Sequence, residues 1–247
     1  MNITEMHLAV QQGVDKINSF QADTLLSQEI DLELNKAIEK FINLKYGKNN
    51  IYGKGFEESQ KRVDDLRKII KTDSLEVSYL ETTINNKFVY ASKSLPADYR
   101  YLIKILAGVV YERGCPVLTK FTQQGLDPVK YPVNKLANCK FVQQDDIFTL
   151  LGDPFNTTKK SKPLVTIEDD KIKIYTNDIF IIKDLKLTYI KNPTKVSLSL
   201  DDVTESVDCE LAEHTHQEIV DMTINSILEG ISDPRYKTQQ IELGKNE

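Results

Sequence analysis

The chain is poor in the residues that usually carry chemistry. It has three cysteines and three histidines in 247 residues. Cys115, Cys139 and Cys209 are odd in number, widely spaced and never in a C-x-x-C pair, which leaves a zinc knuckle or redox motif without support. Reduced thiols in a cytoplasm are the expectation. Neither G-x-S-x-G nor H-E-x-x-H occurs. The glycines of YGKNNIYGKGF, Tyr46 to Phe56, fit neither a Walker loop nor a dinucleotide fingerprint, and a helical pattern precedes them where a strand is needed. The apolar run Ile103 to Tyr111 is broken by Lys104 and is far too short to cross a bilayer. MNITEMHLAVQQG lacks a basic stretch followed by an apolar one, so no secretory signal is expected.

An excess of basic charge is missing as well. The formal charge is −5 and the isoelectric point is about 5.4. A sequence-independent grip on nucleic acid needs a basic surface that releases counterions, so this balance argues against one. Lys159, Lys160 and Lys162 do cluster, in a Ser/Thr/Pro stretch that reads as a solvated loop.

What the chain does have is an ordinary globular composition, 40% hydrophobic and 28% charged, and length enough for one large domain or two small ones. Ile3, Met6, Val10, Val14 and Ile17 form a helical stripe. A second helix is expected from Ser27 as N-cap, with Glu29 and Asp31 in its first turn. Its buried face would be Ile30, Leu34, Ile38, Phe41 and Leu44, and Gly47 would close it. A third helix after Phe56 would bury Val63, Leu66 and Ile70.

The periodicity changes at Asp73, where Leu75, Val77 and Tyr79 alternate with polar neighbours. Asn85-Asn86 reads as a tight turn into NKFVYAS. Tyr99 to Tyr111 is assigned as a strand. Residues 115–163, with five prolines, read as irregular apart from a short helix around Asp145 to Leu151. Val165 and Ile167 should oppose Ile172 and Ile174 across Asp169-Asp170, with Glu168 facing Lys171. Strands at Ile179 to Ile190 and Val196 to Leu200 follow. The expected organisation is α+β: a helical segment 1–72, a mainly β segment 73–213, and a C-terminal helix with an extended arm, 214–247, in one integrated domain.

In the last segment Thr215 and Glu218 form T-x-x-E, a capping-box spacing. Val220, Ile224, Ile227, Leu228 and Ile231 give the apolar stripe, and Asp233-Pro234 stops the helix. The arm beyond has no core of its own, so it is expected to be either disordered or ordered on a neighbouring subunit. Arg235, Tyr236 and Ile241 are the candidate subunit-interface residues, because Tyr and Arg are favoured at hot spots.

Candidate sites are weak. His214-Thr215-His216 has the spacing of adjacent metal ligands on a strand, but the middle residue is better placed as a helix cap and no recognised set completes the shell. His7 is isolated. The acid pairs Asp64-Asp65, Asp145-Asp146, Asp169-Asp170 and Asp201-Asp202 read as surfaces and turns, since neighbours on a helix diverge by about 100°. No catalytic residue, metal ligand or cofactor is assigned.

Four strings carry a resemblance: SQEIDLELNKAIEKFI at Ser27 to Ile42, SLPADYRYLI at Ser94 to Ile103, YIKNPTKVSL at Tyr189 to Leu198, and CELAEHTHQEIVDMTINSILE at Cys209 to Glu229. They resemble structural proteins of crAss-like and related tailed bacteriophages, and they span most of the chain in order. The resemblance implies a non-enzymatic virion protein, assembled in the bacterial host cytoplasm, that forms a head-to-tail connector or tail-barrel ring. It further implies a homo-oligomer, commonly twelvefold, with the portal and adjacent tail-ring proteins as partners. DNA would pass through the channel without specific binding, and no membrane is involved. Two other classes stay open: a phage accessory or nucleic-acid-processing enzyme whose acids meet only in the fold, and an assembly scaffold absent from the mature virion.

Overall fold

Local side-chain caps start the first two helices, and a distant residue completes the first. At the first, Asn2 Oδ1 accepts from the Glu5 amide at 2.8 Å while the Glu5 carboxylate accepts from the Asn2 amide at 3.0 Å. This reciprocal capping box launches α1, Ile3–Ile17. The Ile3 amide donates to Asp208 Oδ1 at 2.7 Å, so the opposite end of the chain satisfies another orphan donor. A computed structural model describes residues 1–17, 25–47, 56–84, 87–111, 135–177, 180–199 and 205–230.

α2, Ser27–Tyr46, takes Leu26 as its N-cap in place of the expected Ser27. The side-chain bond comes from Glu29, whose carboxylate accepts from the Leu26 amide at 2.9 Å. Ile30, Leu34, Ile38 and Phe41 are buried as expected, together with Ala37 and Ile42. Leu44 is only half-buried, and Lys45 occupies the buried position beside it. α3, Gln60–Leu66, runs through a 3-10 turn, Arg67–Ile69, directly into a strand at Ile70. Ile70 therefore belongs to the sheet and not to the helix.

The chain divides into two compact units, Met1–Ile69 with Asn192–Glu247, and Ile70–Lys191. In the helical unit the last helix, His216–Gly230, packs on both α1 and α2. The approach to α1 is close: a Cβ on Gly13 would collide with Ile224 Cδ1. Val220, Ile224, Ile227 and Leu228 form its buried stripe, joined by Ile219. Ile231 and the Asp233-Pro234 stop lie outside the described residues, as does the arm.

No strand forms at Val196. That segment makes an isolated bridge, Ser197 to Val207, and backbone groups of Val196 and Leu198 are held by side chains of α2. Asn35 accepts from the Val196 amide at 3.0 Å and donates to the Val196 carbonyl at 2.9 Å. Asp31 accepts from the Leu198 amide at 3.1 Å. An amide side chain on a helix thus replaces the neighbouring strand that the alternating sequence lacked.

The β unit contains β1 (Ile70–Ile84), β2 (Lys87–Ser92), β3 (Tyr99–Tyr111), β4 (Lys135–Asn138), β5 (Lys140–Phe141), β6 (Leu164–Glu168), β7 (Lys171–Thr176) and β8 (Phe180–Lys191). Their order is β4-β3-β8-β1-β2-β7-β6-β5. β4 and β5 stand at opposite ends of that order yet are separated only by Cys139, so the sheet closes on itself as a barrel. Closure removes the open edges that a flat sheet leaves exposed. The 135–141 strand achieves it by changing partner: it runs antiparallel to β3, then parallel to β6. β1 turns the other corner, pairing with β8 over Ile70–Glu76 and with β2 from Val77 on.

The β6–β7 hairpin has the expected register, Val165 to Ile174, Ile167 to Ile172 and Glu168 to Lys171. Asp169 adopts φ 55°, as a two-residue hairpin turn requires. Tyr99–Tyr111 is a strand as assigned. Asn85-Asn86 lies outside the described residues, between the paired Ile84 and Lys87. The stretch read as irregular holds β4, β5 and a helix α4, Ile147–Gly152, whose Ile147 and Leu151 pack with Val89, Val142, Leu164 and Tyr175. Residues 112–134 lie outside the described residues. Inside the barrel, Leu75, Ile105, Val109, Ile174, Leu185, Leu187 and Tyr189 form the main core. The fold is α+β with antiparallel strands, one parallel pair and a C-terminal helix.

Asn35→Ala removes both side-chain bonds to Val196 and should destabilise the helical unit by about 1–3 kcal/mol. Hydrogen exchange should then show faster exchange at the Val196 amide, with the β8 amides unchanged.

Candidate functional site

The last helix, now α5 (His216–Gly230), begins beside a buried charge cluster. Asp64 and Asp65 diverge on α3 as adjacent helical residues must: Asp64 stays within reach of exposed Gln60, and Asp65 is buried. Asp65 Oδ1 accepts from His214 Nε2 at 2.9 Å, while Oδ2 has no hydrogen bond and lies 3.8 Å from Lys45 Nζ. Lys45 Nζ also donates to Glu218 Oε1 at 2.7 Å and sits 5.0 Å from the centre of the Phe41 ring. One buried cation is therefore held between two carboxylates and an aromatic face. Burying an ammonium demands this kind of compensation.

The cluster overturns the expected T-x-x-E capping box. Glu218 is committed to Lys45, and the Thr215 hydroxyl donates back to the Ala212 carbonyl at 2.7 Å inside a 3-10 turn, Glu213–Thr215. Ala212 is the cap of that turn. His216 follows as the first residue of α5, with ring nitrogens 3.0 Å from the Met1 carbonyl and 3.1 Å from the Leu211 carbonyl. His214 and His216 thus face different partners. His7, from α1, lies 2.8 Å from Asp31 of α2, the same carboxylate that holds Leu198.

Acids from distant segments also meet in the β unit. The Tyr189 hydroxyl lies 2.8 Å from both Asp73 Oδ2 and Asp98 Oδ1, and Lys71 Nζ donates to Asp98 Oδ2 at 2.7 Å. The Lys71 bond, supported by Tyr189, holds Asp98 below the usual carboxylate range despite some desolvation. Burial, reinforced by the two carboxylates, pushes the Tyr189 phenol well above its ordinary value, so it remains a donor. Its ring is fully buried and tilted against Tyr99 at 5.7 Å. A core tyrosine has found polar partners at the barrel wall.

Burial pushes the Cys139 thiol up to about 12, and it raises Cys209 as well, so neither is a ready nucleophile. Both are free thiols, and Cys115 lies outside the described residues. Among the described residues no group of three His, Cys, Asp or Glu side chains is placed to hold a metal. A groove of about 440 Å³ on α2 is lined by Lys36, Glu39, Lys40, Asn43, Leu44 and Gly47, none of which belongs to either carboxylate cluster. Asp145-Asp146 is exposed and Asp169-Asp170 forms the hairpin turn. Asp201-Asp202 and the interface candidates Arg235, Tyr236 and Ile241 lie outside the described residues. No described helix is long and apolar enough to cross a membrane.

The geometry describes a scaffold of packed helices and a closed barrel, stabilised by buried polar pairs. A family model described as phage tail ring protein 3/4 matches residues 1–239. The chain belongs to that family. It is a structural protein of a crAss-like phage tail. No curated protein matches it. In this ring protein the buried cluster was legible only in part. Lys45 continues the α2 stripe at i+3 and i+4 from Ile42 and Phe41, a register that marks an inward lysine, although the last turn of a helix also favours an exposed cation.

Lys45→Met leaves Asp65 buried without its cation and should lower stability by about 3 kcal/mol in urea unfolding. Glu218→Gln, at a more exposed partner, should cost below about 1 kcal/mol. The Tyr189 phenol binds its proton more tightly in the native state than when unfolded. Its contribution is therefore whole below the free phenol value of about 10 and declines as pH rises through it. Tyr189→Phe should show a shallower loss of stability with alkali than the parent chain.

Proposed function

We propose that this tail ring protein builds a homo-oligomeric ring at the portal–tail junction, joins capsid to tail, and encloses the channel through which DNA leaves. The family match across residues 1–239 carries this reading. A twelvefold ring is proposed, with the portal above and adjacent tail rings below, assembled in the host bacterial cytoplasm before incorporation into the virion. The net charge of −5 supports a channel wall that lets phosphates slide past without holding them. The chain works through interfaces, with no catalytic step. A ring closed by heterologous contacts places two different surfaces of each copy against its neighbours. The arm bearing Arg235, Tyr236 and Ile241 is one proposed source of such contacts, onto an adjacent subunit or the next ring.

Electron microscopy and quantitative proteomics of purified particles test the assignment. A ring density and a copy number matching its symmetry are expected; one or two copies per particle would exclude a ring, and none would exclude a virion role. Truncation after Ser232 should leave the melting temperature of the isolated chain unchanged and reduce incorporation into particles. Loss of monomer stability would instead place the arm on its own domain.

A further inference from the structure

The charge of −5 is not spread evenly. Residues 70–191 carry 18 Lys and Arg against 14 Asp and Glu, a net of +4, whereas the helical unit carries 14 against 23, a net of −9. Each unit also exposes large apolar side chains. In the β unit Phe141, Phe148 and Phe155 are among them, the last 80% exposed, beside Tyr79 and Leu136 elsewhere on the strands. In the helical unit they include Leu8, Leu26 and Leu32.

Both patches are built on fixed backbone. Lys140 and Phe141 pair with Leu164 and Val165, and the Lys140 amide donates to the Pro163 carbonyl at 2.8 Å. A bridge between Lys159 and Lys162 closes the adjoining turn. Asp153 anchors the same turn by accepting from the Phe155 amide at 2.8 Å, and the Thr158 hydroxyl pins it to the Tyr175 carbonyl. Exposed phenylalanines and lysines thus share one corner of the barrel. On the helical unit, Leu8 and Leu32 adjoin His7 and Asp31, whose side chains meet, and exposed Glu5 and Glu29 stand in the first turns of α1 and α2.

We infer that the Phe141–Phe155 corner of the barrel docks onto the acidic, leucine-bearing face of α1 and α2 in a second copy of this chain. This rests on the ring reading. A heterologous ring needs two different, mutually complementary faces on one subunit, and these are alike in apolar character and opposite in sign. The phenylalanines supply the desolvated anchor and the charges fix register around it.

The test uses full-length chain carrying a photo-reactive benzoylphenylalanine in place of Phe155, illuminated in purified particles and mapped by mass spectrometry. Cross-links from this corner to residues 3–46 of a second copy are expected. Cross-links to another virion protein, to the barrel of a second copy or within the same chain, or none at all in particles that contain the ring, would overturn the inference while leaving the ring reading intact. Particles lacking a ring of this chain would overturn both. Lys159→Glu combined with Lys162→Glu should lower the cross-link yield about tenfold. An unchanged yield would exclude a charge-matched interface.

Discussion

Neither α1 nor α2 buries its apolar stripe without α5, and α5 comes after the whole barrel in sequence. Everything else follows from that constraint. Hydrophobic burial drives the return of the chain, and the contacts at the helical unit's seams connect its two halves: Asp208 to the start of α1, Met1 to His216, Glu218 to Lys45 across 173 positions. The barrel must then begin and end at one place. It does so because its first and last strands are hydrogen-bonded neighbours, with Ile70 opposite Ile190. An inserted domain with adjacent ends leaves the host core undisturbed.

The barrel solves a different problem with similar economy. A strand of seven residues spans both edges of the sheet by taking β3 as partner before Cys139 and β6 after it. A subunit destined for close packing among copies gains from this, since open edges invite unregulated pairing. Specific association then falls to side chains, and the exposed phenylalanines at the β5 corner are among the large apolar groups that remain in water.

The polar clusters show how acids and their partners from distant segments come to lie in contact inside a fold. Lys45 lies between the Asp65 and Glu218 carboxylates, and the Tyr189 phenol keeps its proton between two others. Proximity of acids to a lysine or a tyrosine is insufficient for chemistry. A reacting centre also needs an activated nucleophile or a base at an accessible cleft. Among the described residues, the members of these two clusters have one another as partners.

Local periodicity alone fixed much of the secondary structure. The stripes of α1, α2 and α5 were readable because burial on one helical face leaves a 3.6-residue imprint, and the β6–β7 hairpin because a two-residue turn dictates its register. The strings that carried the phage resemblance likewise needed no coordinates, and the family match agrees with them. Tertiary structure decided the rest. Val196 looked like a strand residue, yet Asn35 supplies its hydrogen bonds; Thr215 had the spacing of a cap, yet Lys45 claimed the glutamate that would complete the box. Barrel closure depended on a partner change within 135–141 that no alternation pattern records. Apolar burial is a property of one residue's position on its own element, and so it repeats along the sequence. The satisfaction of a buried polar group is a property of a pair, and its second member lies wherever the fold brings it.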